Sequence, residues 1–501
     1  MKIAFVDFLA WDYKIASAYK MALGGSQSAL CYLAEAVAQQ GHEVFLLNHT
    51  SDPGLSRNVM CLSLEAVPKQ LLQSLDALIV LNVAGRGIKL KSLIGDKTRL
   101  ILWTGHAHDQ PDVQELQNPA ERDVYDGFAF VSDWQRDRFH EHFGINLTDS
   151  GVLRNAIAPS FCGLFPTETR ILPQKSQPPV LAYTSTPFRG LDLLLEVFPK
   201  IRSAIPGTRL KVFSSMKVYQ VSQTEDESHY GSLYRQCRET EGVEYIGSLP
   251  QPELARELRS VMLLAYPNTF AETSCIAVME AMASGCWIVS SNLGALPETT
   301  AGFARLISIE GGWEVYKDHF VEETVQVLTK CIATDTTDSE TDLRRQVEYV
   351  NSSCTWSVRA EQWVQWLSSL GTETAVVESQ MPLVSIAASC ADLQQQAYQY
   401  LIQGEYGQAA TLYEQAIEAY PSVRSSYWYL GLTFLLEGQD VEAQTTWMLA
   451  IVSGEPEQVD VWTAELLHVL QEEVERREAL VDYQTVELIQ PYIAELTSNL
   501  S

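Results

Sequence analysis

Up to about residue 370, short apolar runs alternate with segments of helical period, and the alternation runs through twice. Lys2–Phe8, Val44–Asn48, Ala77–Leu81 and Leu100–Trp103 read as buried strands, and Ser26–Gln40 reads as a helix that ends at Gly41. After a Pro-rich break (Pro166, Pro173, Pro178, Pro179) such runs return at Val180–Thr184, Leu210–Ser214, Val261–Tyr266 and Trp287–Ser291. Strands separated by helices pair in parallel, because a parallel neighbour needs a crossover, and the crossovers cover both faces of the sheet. The predicted class is therefore α/β, with two Rossmann-like, doubly wound domains over residues 1–170 and 171–370 and a cleft between them.

Charge then marks a boundary. The 501-residue chain has a net charge of −28, and residues 371–501 hold 20 Asp and Glu against three Arg and no Lys. Residues 371–388 have no clear period and read as a linker to a third domain, 389–501. In it Gly404, Ala409, Tyr413 and Ala416 return as Gly438, Ala443, Trp447 and Ala450, each 34 residues on. Pro421 closes the first unit, Tyr427, Leu430 and Gly431 open the second, and Val461–Ile493 is an off-register third that would cap the array. The pattern resembles the tetratricopeptide repeat, which implies an all-α domain of stacked helical pairs.

The acidic field repels phosphate backbones and anionic lipid, so neither nucleic acid nor a membrane surface is the expected partner. No apolar run approaches the ~18 residues that a membrane span needs. Met1–Trp11 carries Asp7 and no small-residue cleavage site, so it reads as a first buried strand and not as a signal peptide. Nine scattered cysteines without a CxxC pair read as reduced thiols, and the expected location is cytoplasmic.

The segment Pro267–Thr299 carries the chemistry. Glu272 and Glu280 are eight residues apart, on or beside a helix expected to begin near Thr273 and to end at Gly285. At ~1.5 Å per residue they lie roughly 12 Å apart along its axis, too far to share one water as in a glycosidase. That separation suits two carboxylates holding opposite ends of an extended ligand. The helix start between them favours a phosphate. A nucleotide-sugar has this layout, with hydroxyls at each end and a diphosphate between.

The segment resembles the E-x7-E signature of the family-four retaining glycosyltransferases, which have the GT-B fold. Supporting runs are GHEV (Gly41–Val44), VLRNAI (Val152–Ile157), Arg189–Gly190, GSLPQPEL (Gly247–Leu254), Leu296–Glu298 and the closing helix Trp356–Leu367, which in the family crosses back onto the first domain. The resemblance spans residues 1–370. It implies Glu272, Arg189 and His106 as catalytic residues. Glu272 would bind the donor sugar's hydroxyls, and Arg189 the diphosphate. His106, the first histidine of WTGHAHDQP, would stand near sugar and acceptor. Glu280 is assigned to the ribose, Thr273, Ser274 and Cys275 to backbone contacts with sugar and phosphate, and Gly24 and Gly25 to a glycine loop by the diphosphate. The family's second cation is replaced here by Thr184-Ser185-Thr186-Pro187, with Lys217 as the candidate substitute.

The implied reaction is sugar transfer from a nucleotide-diphosphate donor with retention at the anomeric carbon. The resemblance implies no cofactor and no metal; HxHD at His106–Asp109 has metal-ligand residue types without a supporting cluster. The acceptor is left open between glycan, lipid and protein, and the repeats are expected to recruit a partner or to self-associate. Two alternatives remain: a nucleotide-sugar epimerase of the same fold, and a non-catalytic scaffold that binds nucleotide-sugar.

Overall fold

In the computed structural model, contacts divide the chain into two units, Met1–Glu373 and Thr374–Ser501. The structure describes residues 1–333, 336–370, 393–394, 397–398, 400–402, 404–419, 423–452, 459–479 and 482–499. The expected linker 371–388 and Pro421 lie outside the described residues.

The first unit holds two parallel sheets in the GT-B arrangement. In the first sheet the strands are β1 (Lys2–Val6), β2 (Glu43–Asn48), β3 (Gly54–Ser56), β4 (Val59–Ser63), β5 (Ala77–Leu81), β6 (Arg99–Thr104), β7 (Gly127–Phe130) and β8 (Ser150–Val152), in the order 3-4-2-1-5-6-7-8. Only β3 runs antiparallel to its neighbour. The second sheet contains β9 (Val180–Tyr183), β10 (Arg209–Val212), β11 (Val243–Tyr245), β12 (Leu263–Tyr266), β13 (Trp287–Ser291) and β14 (Arg305–Ile307), in the order 11-10-9-12-13-14. The central strands β5, β9 and β12 are buried at every position, which is why they read as continuous apolar runs and not as alternating ones.

Two devices tie the halves together. The closing helix Trp356–Ser369 lies on the first sheet, with Trp363 ring centroids 5.2 Å from Trp103 and 6.4 Å from Phe5. Trp366 fits there because residue 151 is glycine: a Cβ at Gly151 would come within 2.7 Å of its ring. Separately, Glu298 of the second half accepts the N–H groups of Asp133 (3.1 Å) and Trp134 (3.0 Å). These open the helix Asp133–Phe143 of the first half, so the carboxylate satisfies two otherwise orphaned donors at a positive helix end.

In the second unit, described by itself, the positions that recur in sequence have matching environments. Gly404 and Gly438 both have positive φ (80° and 85°) at helix junctions, and Ala409, Tyr413, Ala416, Ala443, Trp447 and Ala450 are all buried. Among the described residues its helices include Tyr406–Ala419, Arg424–Leu436, Asp440–Val452, Val459–Ala479 and Tyr483–Asn499. Trp447 lies over Gly431, where a Cβ would meet its Nε1 at 2.1 Å, and donates that N–H to the Trp428 carbonyl (3.1 Å). The eight described cysteines are free thiols. No helix among the described residues is long and apolar enough to cross a membrane.

Candidate active site

The cleft of the first unit is a cavity of about 540 Å³, within the range of small-molecule sites. Its walls come from residues that directly follow strands: Asp7 after β1, Asn82 after β5, Gly105 and His106 after β6, Thr184 after β9, Phe213 after β10. The carboxyl ends of parallel strands are where open α/β sheets bind ligands, since there the chain leaves the ladder and presents loops.

The donor-side wall is built around Glu272. The helix begins at Ile276 with Cys275 as N-cap, three residues later than the spacing suggests. Glu272–Ser274 are held out of it by tertiary contacts. Glu272 forms a parallel bridge with Gly294 and accepts the Ala295 N–H on its carbonyl (2.7 Å), while Thr273 Oγ1 donates to the Gly105 carbonyl across the cleft (2.7 Å). Gly294 has φ 63°, and a Cβ there would sit 2.3 Å from the Glu272 carbonyl oxygen. Only glycine permits both that conformation and that approach. The helix ends as expected: Gly285 (φ 63°) donates to Met282 and Cys286 to Ala281, a Schellman closure.

The Glu272 side chain is buried and accepts from Arg189 Nη1 (2.7 Å) and the Tyr266 hydroxyl (2.5 Å). Arg189 also packs on the faces of Phe270 (4.4 Å to the centroid) and Phe188 (5.6 Å). Burial pulls its pKa down, but Glu272 and the neighbouring tyrosines more than offset this, so the guanidinium is held firmly charged. Gly190 beside it has φ 99°, and a Cβ would meet the Pro267 carbonyl at 2.1 Å. This close crossing brings the Arg189 loop onto the Glu272 loop.

Glu280 lies on the buried face of the helix and accepts the Ala158 N–H (3.2 Å). Burial pushes its carboxyl up to about 8, against the pull of the Ala158 N–H and the Gln251 side chain. Thr273, Ser274 and Cys275 line the cavity between the two glutamates. Gly24 and Gly25 line it from the other side: a Cβ at Gly24 would lie 3.3 Å from the Tyr219 ring, and one at Gly25 would lie 3.7 Å from Ile276. Five side chains that line the cavity carry a buried polar atom without a hydrogen-bond partner: His106 Nδ1, Thr184 Oγ1, Thr186 Oγ1, Arg189 Nε and Gln251 Oε1.

Lys217 departs from expectation. It is exposed and does not line the cavity, because the turn Met216–Tyr219 directs Val218 and Tyr219 inward. Tyr219 instead meets Trp11 of the opposite wall, with centroids 6.2 Å apart. His106 lines the cavity and His108 does not. The His106 Nδ1 lies 3.7 Å from Asp112 Oδ2, and burial lowers the ring's pKa against that carboxylate's pull.

Two residues absent from the sequence reading of the site complete the opposite wall. Asp7 is buried, with Oδ2 accepting from the Tyr13 hydroxyl (2.7 Å) and Gln27 (3.1 Å); burial pushes its carboxyl up. Asn82 has φ 62°, a left-handed conformation, and its Oδ1 accepts the Gly105 N–H (2.8 Å), fixing the loop that carries His106. The signal available was positional: Asn82 follows the predicted strand Ala77–Leu81, and Asp7 is the one charged residue near the end of the predicted run Lys2–Phe8, just after the strand Lys2–Val6 that forms.

Comparison with known proteins places the fold. Residues 178–330 match the family described as glycosyl transferases group 1. Solved structures that share the fold include the sucrose-phosphate synthase from Thermosynechococcus elongatus (14% identity, 74% of this chain and 98% of that one, TM-score 0.53) and WaaG, a glycosyltransferase involved in lipopolysaccharide biosynthesis (14%, 73% and 100%, TM-score 0.51). HepE from Anabaena, solved with UDP-glucose, is similar at 16% identity over 74% of this chain and all of that one, with a TM-score of 0.50. No curated protein matches the chain significantly. The solved structures show the GT-B fold for the first unit, and the matched segment is similar to the glycosyl transferases group 1 family. The matched segment is the half that carries Arg189, Glu272 and Glu280.

Proposed function

We propose that the chain is a retaining glycosyltransferase that takes a sugar from a nucleotide-diphosphate donor without a metal ion. The observation that carries this reading is the donor wall: one partly buried cation, a helix start and three further lining side chains with an unpartnered polar atom (Thr184, Thr186 and Gln251), beside two buried carboxylates. Burying unpaired polar atoms is costly, so a cavity lined by several side chains that carry them is suited to a polar ligand. The base and ribose would lie towards Glu280 and the sugar towards Glu272, with the diphosphate at Arg189 and the helix beginning at Ile276. Thr273, Ser274, Cys275, Gly24 and Gly25 would add amides and close approach.

In the reaction the bond between the anomeric carbon and the diphosphate oxygen breaks, and the acceptor hydroxyl attacks from the same face. Its proton passes to the departing phosphate oxygen. Arg189 and the helix start stabilise the negative charge that develops there. Glu272, held by Tyr266 and Arg189, orients the sugar, and His106 borders the acceptor. The helical unit is read as a tetratricopeptide-like array that recruits a basic partner or self-associates, and the protein as cytoplasmic.

One observation favours the scaffold reading: Lys217 is outside the cavity, so Arg189 is the sole Lys or Arg among the described lining residues, and it is paired with Glu272. Proton NMR of the transfer product separates the two. A retained anomeric configuration, lost with Glu272→Ala, supports the transferase. Donor binding with neither transfer nor donor hydrolysis supports the scaffold.

A further inference from the structure

The two walls of the cleft differ in charge. The donor wall has Arg189. The described lining residues of the first half contain no Lys or Arg at all, and they contain Asp7 and Asp112. The nearest cations in sequence lie outside the lining: Lys14 is ion-paired to Asp52, Lys20 is exposed, and Arg86 is exposed over the Phe8 ring, 5.2 Å from its centroid. Burial lowers the pKa of His106, against the pull of Asp112.

This wall is otherwise rich in hydrogen-bonding groups. Gln27, Asn82, His106 and Gln110 stand beside the two carboxylates, and Trp11 lies at the edge against Tyr219. Carboxylates and amides suit hydroxyls, since they accept or exchange hydrogen bonds with them, and an aromatic ring offers a face for apolar C–H surface. Phosphate recognition uses the opposite equipment: Arg or Lys, or a helix N-terminus. The first half does supply a helix start near the cleft, at Gly25, but a bound donor diphosphate would lie closest to it, because Gly25 faces Ile276. A second anion on this wall would meet Asp112 and the diphosphate itself.

We infer that the acceptor is an uncharged carbohydrate, bound through its hydroxyls on the wall of Asp7, Asn82, Gln110 and Asp112, and not a sugar phosphate or a lipid-linked phosphate. The inference rests on the glycosyltransferase reading and narrows its acceptor from glycan, lipid or protein to a neutral glycan.

Saturation-transfer NMR tests this on the full-length protein, loaded with whichever nucleoside diphosphate raises its melting temperature. The probes are an equimolar mixture of maltose, cellobiose, sucrose, glucose 1-phosphate, glucose 6-phosphate and farnesyl phosphate. At least one neutral disaccharide should show a signal tenfold or more above every phosphate. Asp112→Lys, a change at a half-exposed rim position, should raise the phosphate signals at least threefold. Stronger signals from a phosphate, or none from any neutral sugar, would overturn the inference. A protein that no nucleoside diphosphate stabilises instead overturns the donor-binding reading beneath it, so the two failures are told apart.

Discussion

The two walls of one cleft are built in opposite ways. The donor wall centres on one contiguous stretch, Glu272–Glu280, with Arg189 clasped onto it, and residues such as Thr184, Phe213 and Gln251 fill in around that centre. Glycines at 190 and 294 let backbones approach where a Cβ would lie 2.1 and 2.3 Å from a carbonyl oxygen. The acceptor wall is assembled from single residues at the ends of separate strands, Asp7 after β1, Asn82 after β5 and His106 after β6. The first is a shape that its own sequence spells out. The second exists only once the sheet has set its strand order.

If that contrast is right, substitutions on the two walls should separate cleanly. The largest effect is expected from Arg189→Ala, which removes the one cation facing the diphosphate and leaves Glu272 buried without its ion-pair partner. Transfer should fall about 10²–10³-fold, the magnitude typical of losing one preorganised charge-stabilising group, as read by steady-state kinetics beside a melting curve. Next is Gly294→Ala. The methyl group must displace the Glu272 backbone, so the variant should lose on the order of 2–4 kcal/mol of stability in denaturant unfolding and bind donor weakly. An alanine at 294 that melts like the wild type would break the claim that this glycine holds Glu272 in place.

A smaller effect sharpens the acceptor side. Asn82→Gly keeps the left-handed backbone accessible but removes the amide that holds the Gly105 N–H. The acceptor KM should rise several-fold while stabilisation by nucleoside diphosphate stays the same. Equal loss on both sides would mean that the walls do not act separately.

The pH dependence of stability is subtler still. Burial pushes Glu280 from 4.5 up to about 8, so the folded protein holds this proton more tightly than the unfolded chain does. The stability this contributes is complete below about 4.5 and is lost as pH rises towards 8. Asp7, raised by burial from 3.8, acts in the same direction. Chemical unfolding between pH 5 and 8.5 should therefore show a decline that is shallower in Glu280→Gln, whose side chain cannot ionise. The smallest effect on transfer should come from Gly431→Ala. Its methyl group would clash with Trp447, so it should unfold the helical unit and leave donor stabilisation of the first unit intact.

The same contrast explains what was legible in advance. The central strands were readable because burial on both faces makes them continuously apolar; Ala77–Leu81 and Trp287–Ser291 fall where their composition puts them. Short edge strands such as Val243–Tyr245 and Arg305–Ile307 were not, because they are partly exposed and carry charge. On the donor wall the glutamate spacing located the site, but the helix starts at Ile276 because contacts from Gly294 and Gly105 hold Glu272–Ser274 outside it. Lys217 was the reverse case: its residue type fits a diphosphate, but the turn of Met216–Tyr219 gives the cleft Tyr219 instead. Asp7 and Asn82 carried no motif, only a place after a strand, and their role follows from the strand order 2-1-5-6.

The central claim is that the donor wall holds a nucleoside diphosphate between Arg189 and Glu280. The direct measurement is thermal unfolding of the full-length protein with UDP, GDP, ADP or CDP, wild type beside Glu280→Ala. At about 100 times its dissociation constant a ligand adds about 2.7 kcal/mol, a readily measured rise in melting temperature. One diphosphate should stabilise the wild type and not the variant. Equal stabilisation of both proteins, or none by any of the four, would contradict the account.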